Sequence, residues 1–378
     1  MSALHALRRN LIFAEAALIG RRPAYVQYAV TTRCNQRCRM CEVTSSRAGE
    51  RELSVGEVRQ LAVVLRRLGV GVLVLSGGEP LLRHDLPALV QAFAQQGLMV
   101  RMQSNGALQH PEQARELATA GLQEVSISLH SLDPAVHDAI TGRPGSWGQA
   151  LEGMAAFSQA LQGRGRVHGV NTTVCRPNLH ELPAIVRFVT AIGFWAAPIP
   201  VHLESADQGW IVRGDDAQLA FGRRDRPQIA ATFAQLLAMK DQGLHVYSSR
   251  RFLQESAAWL QGGLPTWSCT SPVQYFSISP QGRFLPCVDL AGEHSLLEPD
   301  FVERYRSESF RRAIQDRVQA CQGCMYACYP ELVYIGQHAD TLVERVGFAL
   351  RVGRQTPVPV TVAQLREQAS RFRVEGQA

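Results

Sequence analysis

A chain of 378 residues with 46% apolar and 19% charged side chains has the composition of a globular protein rather than a disordered one. No window holds about 18 uninterrupted apolar residues, so no membrane-spanning helix is expected, and the length suits a barrel of about 200 to 250 residues with a smaller appendage. The net charge of +6 comes from scattered Lys and Arg, which reads as a solvated basic surface and gives no reason to expect a nucleic-acid partner.

The first segment, LRRNLIFAEAALIGRRP (7–23), joins a basic flank to an apolar stretch in the manner of an export signal. Glu15 breaks that stretch and Arg21-Arg22 closes it, so residues 1–23 are read as an amphipathic helix. Peripheral membrane contact through this helix stays in view, and a cytoplasmic location is expected. Across 24–215, strand-like runs alternate with amphipathic helical stretches. The runs are YVQYAV (25–30), VGVLVLS (70–76), LMVRMQSNG (98–106), EVSISLHS (124–131), VHGVNTTV (167–174) and AAPIPVHL (196–203). SVGEVRQLAVVLRRLG (54–69) and LPALVQAFAQQG (86–97) are helical patterns with Gly at the exit, where a left-handed cap sits. Strand, helix, strand in repetition predicts an α/β fold with a parallel sheet, and six strands predict a partial (β/α)6 TIM-like barrel rather than a complete eight-stranded one.

Residues 216–260 turn helical, with RPQIAATFAQLLAMKDQG (226–243) as the clearest element. Within 261–335, SISPQGRFLPC (277–287) reads as a hairpin turned by Pro280-Gln281-Gly282. The tail, 336–378, is helical and then Pro-rich at TPVPVTV (356–362), and it carries no chemical signal.

Nine cysteines in a chain without an export signal call for a reason other than disulfides, which the cytosol keeps reduced. Cys34, Cys38 and Cys41 fall within eight positions at the end of the first strand, the face where such barrels place their chemistry. Cubane iron-sulfur clusters are held by thiolates, and three thiolates leave one iron open to bind a small molecule. A zinc ion completed by a distant ligand is the competing reading of the thiols alone.

The loop resembles the C-x3-C-x2-C signature of the radical S-adenosylmethionine enzymes, and GGEP (77–80) resembles their second-strand motif. The resemblance covers about residues 24–335. It implies a [4Fe-4S] cluster on Cys34, Cys38 and Cys41, whose open iron chelates the amino and carboxylate groups of S-adenosyl-L-methionine. Gly77, Gly78 and Glu79 then face the cofactor's amino group, which suits glycines that permit close approach and oxygens that suit an ammonium. Ser104 and Asn105, ending the third strand, are candidates for the methionine or ribose portion. Ser126 and Ser128 share one side of the fourth strand by period-two alternation and are candidates for the ribose. Each also reads simply as a polar strand end. Met40 stands where the family usually has an aromatic residue near adenine, and a thioether packs on a purine too. HDAITGRPGSW (137–147) resembles the family's segment after the fourth strand, with Gly142 and Gly145 in turns. Asn171 and Thr173 on the fifth strand fit a cofactor contact or a polar core equally.

Downstream, Cys269, twelve residues, Gly282, four residues and Cys287 resemble the opening hairpin of the SPASM and twitch extensions, and CQGCMYAC adds Cys321, Cys324 and Cys328. The twitch pattern implies one auxiliary [4Fe-4S] cluster on Cys269, Cys287, Cys321 and Cys324, with Cys328 left over as a substitute for Cys324 or a free thiol; a structural zinc is the alternative. Cys175 reads as a small core residue. Among the histidines only His130 and His202, near strand ends, invite a functional reading, and Glu204 suits either a substrate contact or a helix cap.

By resemblance, the reduced cluster donates an electron to S-adenosylmethionine, giving methionine and a 5'-deoxyadenosyl radical that abstracts hydrogen from an unactivated C–H bond. A small-molecule or lipid-like substrate is expected, because only 33 residues precede Cys34 and peptide-modifying relatives often carry an N-terminal recognition domain. A flavodoxin- or ferredoxin-type reductant is expected with it. Two other readings stay open: a maturase of ribosomal peptides, and a non-catalytic iron-sulfur carrier or zinc scaffold in which GGEP would be idle.

Overall fold

The computed structural model describes residues 22–46, 49, 51–162, 168–203, 213–353 and 358–375. The expected N-terminal amphipathic helix and Glu204 lie outside them. Six parallel strands follow the six apolar runs: β1 (Tyr25–Thr31), β2 (Val72–Gly77), β3 (Met99–Ser104), β4 (Glu124–Ser128), β5 (Gly169–Val174) and β6 (Trp195–Pro200). Each pairs with its sequence neighbour in parallel, with helices between. These helices are α1 (Val55–Leu68), α2 (Leu86–Gln95), α3 (Gln113–Ala120), α4 (Pro134–Thr141), α5 (Ser146–Ala160) and α6 (Leu182–Ala191). Local chemistry sets their ends. Ser54 and Glu57 form a reciprocal capping box on α1, and Gly69 leaves it at φ +82°, where its N–H reaches the carbonyls of Arg66 and Leu65.

Outward strand residues such as Val26, Leu73, Val100, Ile127 and Val170 bury themselves against the helices. The inward positions are different: Gln27, Ser76, Gln103, Ser126, Ser128, Asn171 and Thr173 face a lumen. A lumen lined with polar side chains stays hollow where a closed barrel would be filled by branched apolar layers.

The next helices are α7 (Arg226–Asp241) and α8 (Arg250–Leu260), followed by the hairpin β7 (Tyr275–Ile278) and β8 (Phe284–Leu285), turned at Gly282 with φ +77°. The hairpin does not stand apart from the barrel. Strand β7 pairs in parallel with β1, so the sheet runs β6-β5-β4-β3-β2-β1-β7-β8. This satisfies the free edge of β1, which an open six-stranded barrel would leave bare. Helices α9 (Phe301–Arg306), α10 (Glu308–Gln319), α11 (Pro330–Gln337), α12 (Ala339–Gly353) and α13 (Val362–Glu375) complete the chain. The last two pack the tail on the barrel: α13 buries Leu365, Ala369 and Phe372 in the main core, and α12 lays Phe348 and Val352 against Trp195 and Ala197 at the start of β6. Among the described residues no helix is long and apolar enough to cross a membrane.

Candidate functional site

The cysteine loop leaves β1 at Thr31 and is held on three sides by glycines. A Cβ on Gly77 would collide with the Thr31 carbonyl, on Gly78 with that of Arg33, on Gly142 with that of Arg37, and on Gly214 with that of Arg39. Hydrogen bonds use the closeness so gained. The N–H groups of Gly78 and Glu79 donate to the carbonyls of Thr31 and Arg33, both at 2.8 Å, and those of Arg37 and Arg39 donate to Thr141 and Ile140 at 3.1 and 3.0 Å. Asn35 is fixed by Asn105 Nδ2 on its side chain at 2.7 Å and by Arg143 on its carbonyl at 2.5 Å. The segment from 137 to 147 therefore does more than turn; it clamps the loop. Arg83, three residues beyond GGEP, donates to the carbonyls of Val30 and Leu53, each at 2.9 Å, and pairs with Asp85.

A cavity of about 600 Å³ opens from this loop into the lumen. Cys34, Cys38 and Cys41 line it, and so do Gly77, Gly78 and Glu79. Ser104, Asn105, Ser126 and Ser128 line it as well, so the sequence candidates converge on one space with one exception. Met40 packs instead with Ile140, Cys175, Val201 and Leu219, and is not part of the lining; the loop turns its side chain into an apolar cluster behind the site.

Glu79 organises the floor beneath the loop. Its Oε1 accepts from Leu81 N–H at 3.0 Å and Ser104 Oγ at 2.8 Å, and its Oε2 accepts from Asn105 N–H at 2.7 Å. Ser104 and Asn105 thus hold Glu79, a role their strand-end position did not disclose. Burial of Glu79 pushes its pKa up to about 7 despite these three bonds. The thiols are shifted likewise: burial, with Glu79 and Cys41 adding to it, pushes Cys34 up to about 11, and burial and its two neighbour thiols push Cys38 higher. Thiols that sense one another's charge within one partly enclosed loop fit a cluster, which takes one thiolate per iron and deprotonates it. Among the described residues no three His, Cys, Asp or Glu converge as ligands of a single ion, and a cube of irons does not require them to.

Four of the five downstream cysteines, Cys269, Cys287, Cys324 and Cys328, pack on one apolar cluster. Cys269, Cys287, Cys321 and Cys324 are linked by mutual charge interactions: Cys287 with Cys269 and Cys321, and Cys324 with Cys287 and Cys269. Burial raises the pKa of Cys269, Cys287 and Cys324. Cys328 shares that apolar cluster. It lines the main cavity, where burial pushes its pKa up to about 12 and the Tyr25 hydroxyl is its hydrogen-bond partner. Aromatic rings join the two regions: Tyr275 contacts Cys269 Sγ at 2.7 Å and stacks at 4.4 Å on Tyr329, which lines the cavity.

The remaining candidates are placed plainly. His130 lines the cavity with Asn171 and Thr173; burial lowers its pKa to about 3, and its Nδ1 accepts from Thr173 N–H at 3.2 Å. His202 is an anchor, stacking at 4.2 Å on Tyr326 and accepting from Met325 N–H at 2.9 Å, which ties the CQGCMYAC segment to the end of β6. Cys175 is fully buried in an apolar cluster. Sequence reasoning missed the ion pair of Arg101 and Glu124 and the trio Tyr247, Glu331 and Arg345, all of which line the cavity. The first pair had a signal, charges at inward positions of β3 and β4; the others come from segments with no periodic relation to the barrel.

Residues 28–189 match the family model described as the Radical SAM superfamily. The AdoMet-dependent heme synthase of Nitratidesulfovibrio vulgaris is 32% identical over 169 residues, 44% of this chain and 45% of that protein, so the chain spans less than half the length of this relative. The PqqA peptide cyclase of Rhodopseudomonas palustris is 28% identical over 277 residues, 70% of this chain and 67% of that protein. Among solved structures, Streptococcus suis SuiB bound to its precursor peptide SuiA superposes with a TM-score of 0.59 at 14% identity, covering 78% of this chain and 67% of that one, a likeness of fold.

Proposed function

From the match of residues 28–189 to the Radical SAM family model we propose that the chain is a radical SAM enzyme that uses S-adenosylmethionine to oxidise or couple a small-molecule or lipid-like substrate at an unactivated C–H bond. The observation that carries the proposal is the convergence of Cys34, Cys38 and Cys41 with Gly77, Gly78 and Glu79 on one cavity. Bound there, the [4Fe-4S] cluster and S-adenosylmethionine supply a 5'-deoxyadenosyl radical. The protein's part is to bind, orient and shield. Cys34, Cys38 and Cys41 each hold an iron; the carbonyls of Gly77 and Gly78 and the carboxylate of Glu79 accept from the cofactor's ammonium; Ser126 and Ser128 offer hydroxyls to its ribose. The buried floor of Glu79, Ser104 and Asn105 limits water beneath the loop. Cys269, Cys287, Cys321 and Cys324 would hold an auxiliary [4Fe-4S] cluster, which would supply an electron acceptor on the substrate side, and a flavodoxin- or ferredoxin-type reductant would serve the first cluster.

A peptide substrate is the second reading, favoured by the similarity to PqqA peptide cyclases over 70% of the chain. Anaerobic reconstitution with iron and sulfide, dithionite reduction and chromatography after adding S-adenosylmethionine test the main proposal. About eight irons per chain with 5'-deoxyadenosine formed is the expected result, and Cys34→Ala, Cys38→Ala or Cys41→Ala each abolishes it. Zinc in place of iron, or loaded clusters that neither bind nor cleave the cofactor, overturns it in favour of a carrier or scaffold.

A further inference from the structure

The cavity runs from the cysteine loop toward the opposite, N-terminal ends of the strands, and that end is polar and charged. Arg101 and Glu124 pair across β3 and β4. Tyr247 stacks at 4.4 Å on Trp195, the first residue of β6. From outside the barrel, α12 brings Arg345, whose guanidinium lies 3.8 Å from the centre of the Tyr247 ring and donates to the Tyr247 carbonyl. Glu331, at the start of α11, faces Arg345 and is only 4% exposed. Its Oε1 accepts from the Ser249 N–H at 2.6 Å. Its Oε2 is buried with no hydrogen bond, and the nearest cation, Arg345 Nη2, stands 3.9 Å away, beyond hydrogen-bond reach. A buried carboxylate oxygen without a donor is costly to keep, which makes this gap a place for a ligand group that supplies one.

We infer that Glu331 and Arg345 recognise a hydroxyl group of the substrate at the end of the cavity remote from the cysteines. The inference rests on the proposed function, because the cofactor site fixes which end of the cavity holds the reacting carbon. The charge balance selects the ligand. Glu331 with Arg345, and Glu124 with Arg101, are each neutral as pairs, so a carboxylate or an ammonium would bring an uncompensated charge into a buried site. A hydroxyl brings none: it donates its proton to Glu331 Oε2 and accepts from Arg345, completing both groups with one atom. The neighbouring walls of Tyr329, Leu332 and Leu342 suit an apolar body behind that hydroxyl. A strand of five or six residues is about 17–20 Å long and the cofactor takes part of that length, so a substrate that meets the radical at one end and this pair at the other is an elongated alcohol with an apolar segment beside its hydroxyl.

The test uses the reconstituted full chain and 4-phenylbutan-1-ol as probe, with 4-phenylbutyrate, 4-phenylbutylamine and butylbenzene as matched controls, followed by saturation-transfer NMR and titration. The alcohol is expected to bind at least about tenfold more tightly than every control, the ratio one hydrogen-bonded charged pair supports. Glu331→Gln, which keeps an acceptor for Ser249 but turns the free position into a donor, should erase that preference while leaving the affinity for S-adenosylmethionine unchanged. Equal binding of the four probes to the wild-type chain, or an alcohol preference that survives Glu331→Gln, overturns the inference. If the cofactor binds and the preference is absent, the hydroxyl site alone is wrong; if the preference is present and the cofactor does not bind, the proposed function falls and the hydroxyl site stands.

Discussion

Glu79 shows how one residue couples the fold of the site to its chemistry. Its carboxylate accepts three hydrogen bonds, from Leu81, Ser104 and Asn105, yet burial still lifts its pKa to about 7 from the ordinary 4.5. The sign of the consequence follows from linkage. A carboxyl group that holds its proton more tightly in the fold than in the unfolded chain favours the fold most at low pH, and that contribution is lost as pH rises from about 4.5 through 7. Binding a cationic ammonium runs the other way, since it requires the charged form. Affinity for S-adenosylmethionine, followed by calorimetric titration of the reconstituted protein, should therefore weaken below pH 7 by up to about tenfold per unit, and Glu79→Gln should flatten that part of the profile. A profile unaffected by Glu79→Gln would leave the residue a purely structural hub.

At the scale of elements, the cysteine loop is positioned by backbone contact more than by side chains. Gly142 ends α4 at φ +65°, and its missing Cβ lets the Arg37 carbonyl lie against it. Gly142→Ala should therefore act at two levels, costing about 1 to 3 kcal/mol of stability through the left-handed backbone and the collision, and displacing the loop. Iron bound at the first cluster should fall steeply while far-UV circular dichroism stays that of the native barrel; full iron loading would show that the loop yields. The same element shows what could be read in advance. The strands, the cap at Gly69 and the turn at Gly282 were legible because periodicity and turn chemistry are local. The turn role of Gly142 was legible too, but its contact with Arg37, about a hundred residues away in sequence, was not. The packing of Met40 was hidden for the same reason: its slot in the loop is local information, whereas the apolar cluster that takes it is assembled from α4, the ends of β5 and β6 and residue 219.

The whole molecule is one continuous sheet carrying two groups of thiols. Because β7 pairs with β1, the strand that launches the cysteine loop also abuts the hairpin that launches Cys287, and the Tyr275–Tyr329 stack fills the space between. That pairing joins residues about 250 apart, which no window of sequence discloses, and it changes the expected consequence of losing the second group. Four thiols sense one another there, while Cys328 opens on the main cavity beside Tyr25. Cys269→Ala and Cys324→Ala should each lower the iron content by about half, to one cluster's worth, and retain formation of 5'-deoxyadenosine while blocking conversion of substrate. With Cys269, Cys287, Cys321 and Cys324 as the proposed ligands, Cys328→Ala should keep both clusters. Since the hairpin is part of the barrel's sheet, the lost cluster should also lower the midpoint of a single thermal transition rather than split off a second one. Iron analysis and calorimetry on the same preparations separate the arrangements: loss of iron in Cys328→Ala with retention in Cys324→Ala would exchange those two ligands, and two resolved transitions would mean that the β1–β7 pairing does not bind the two thiol groups into one cooperative unit.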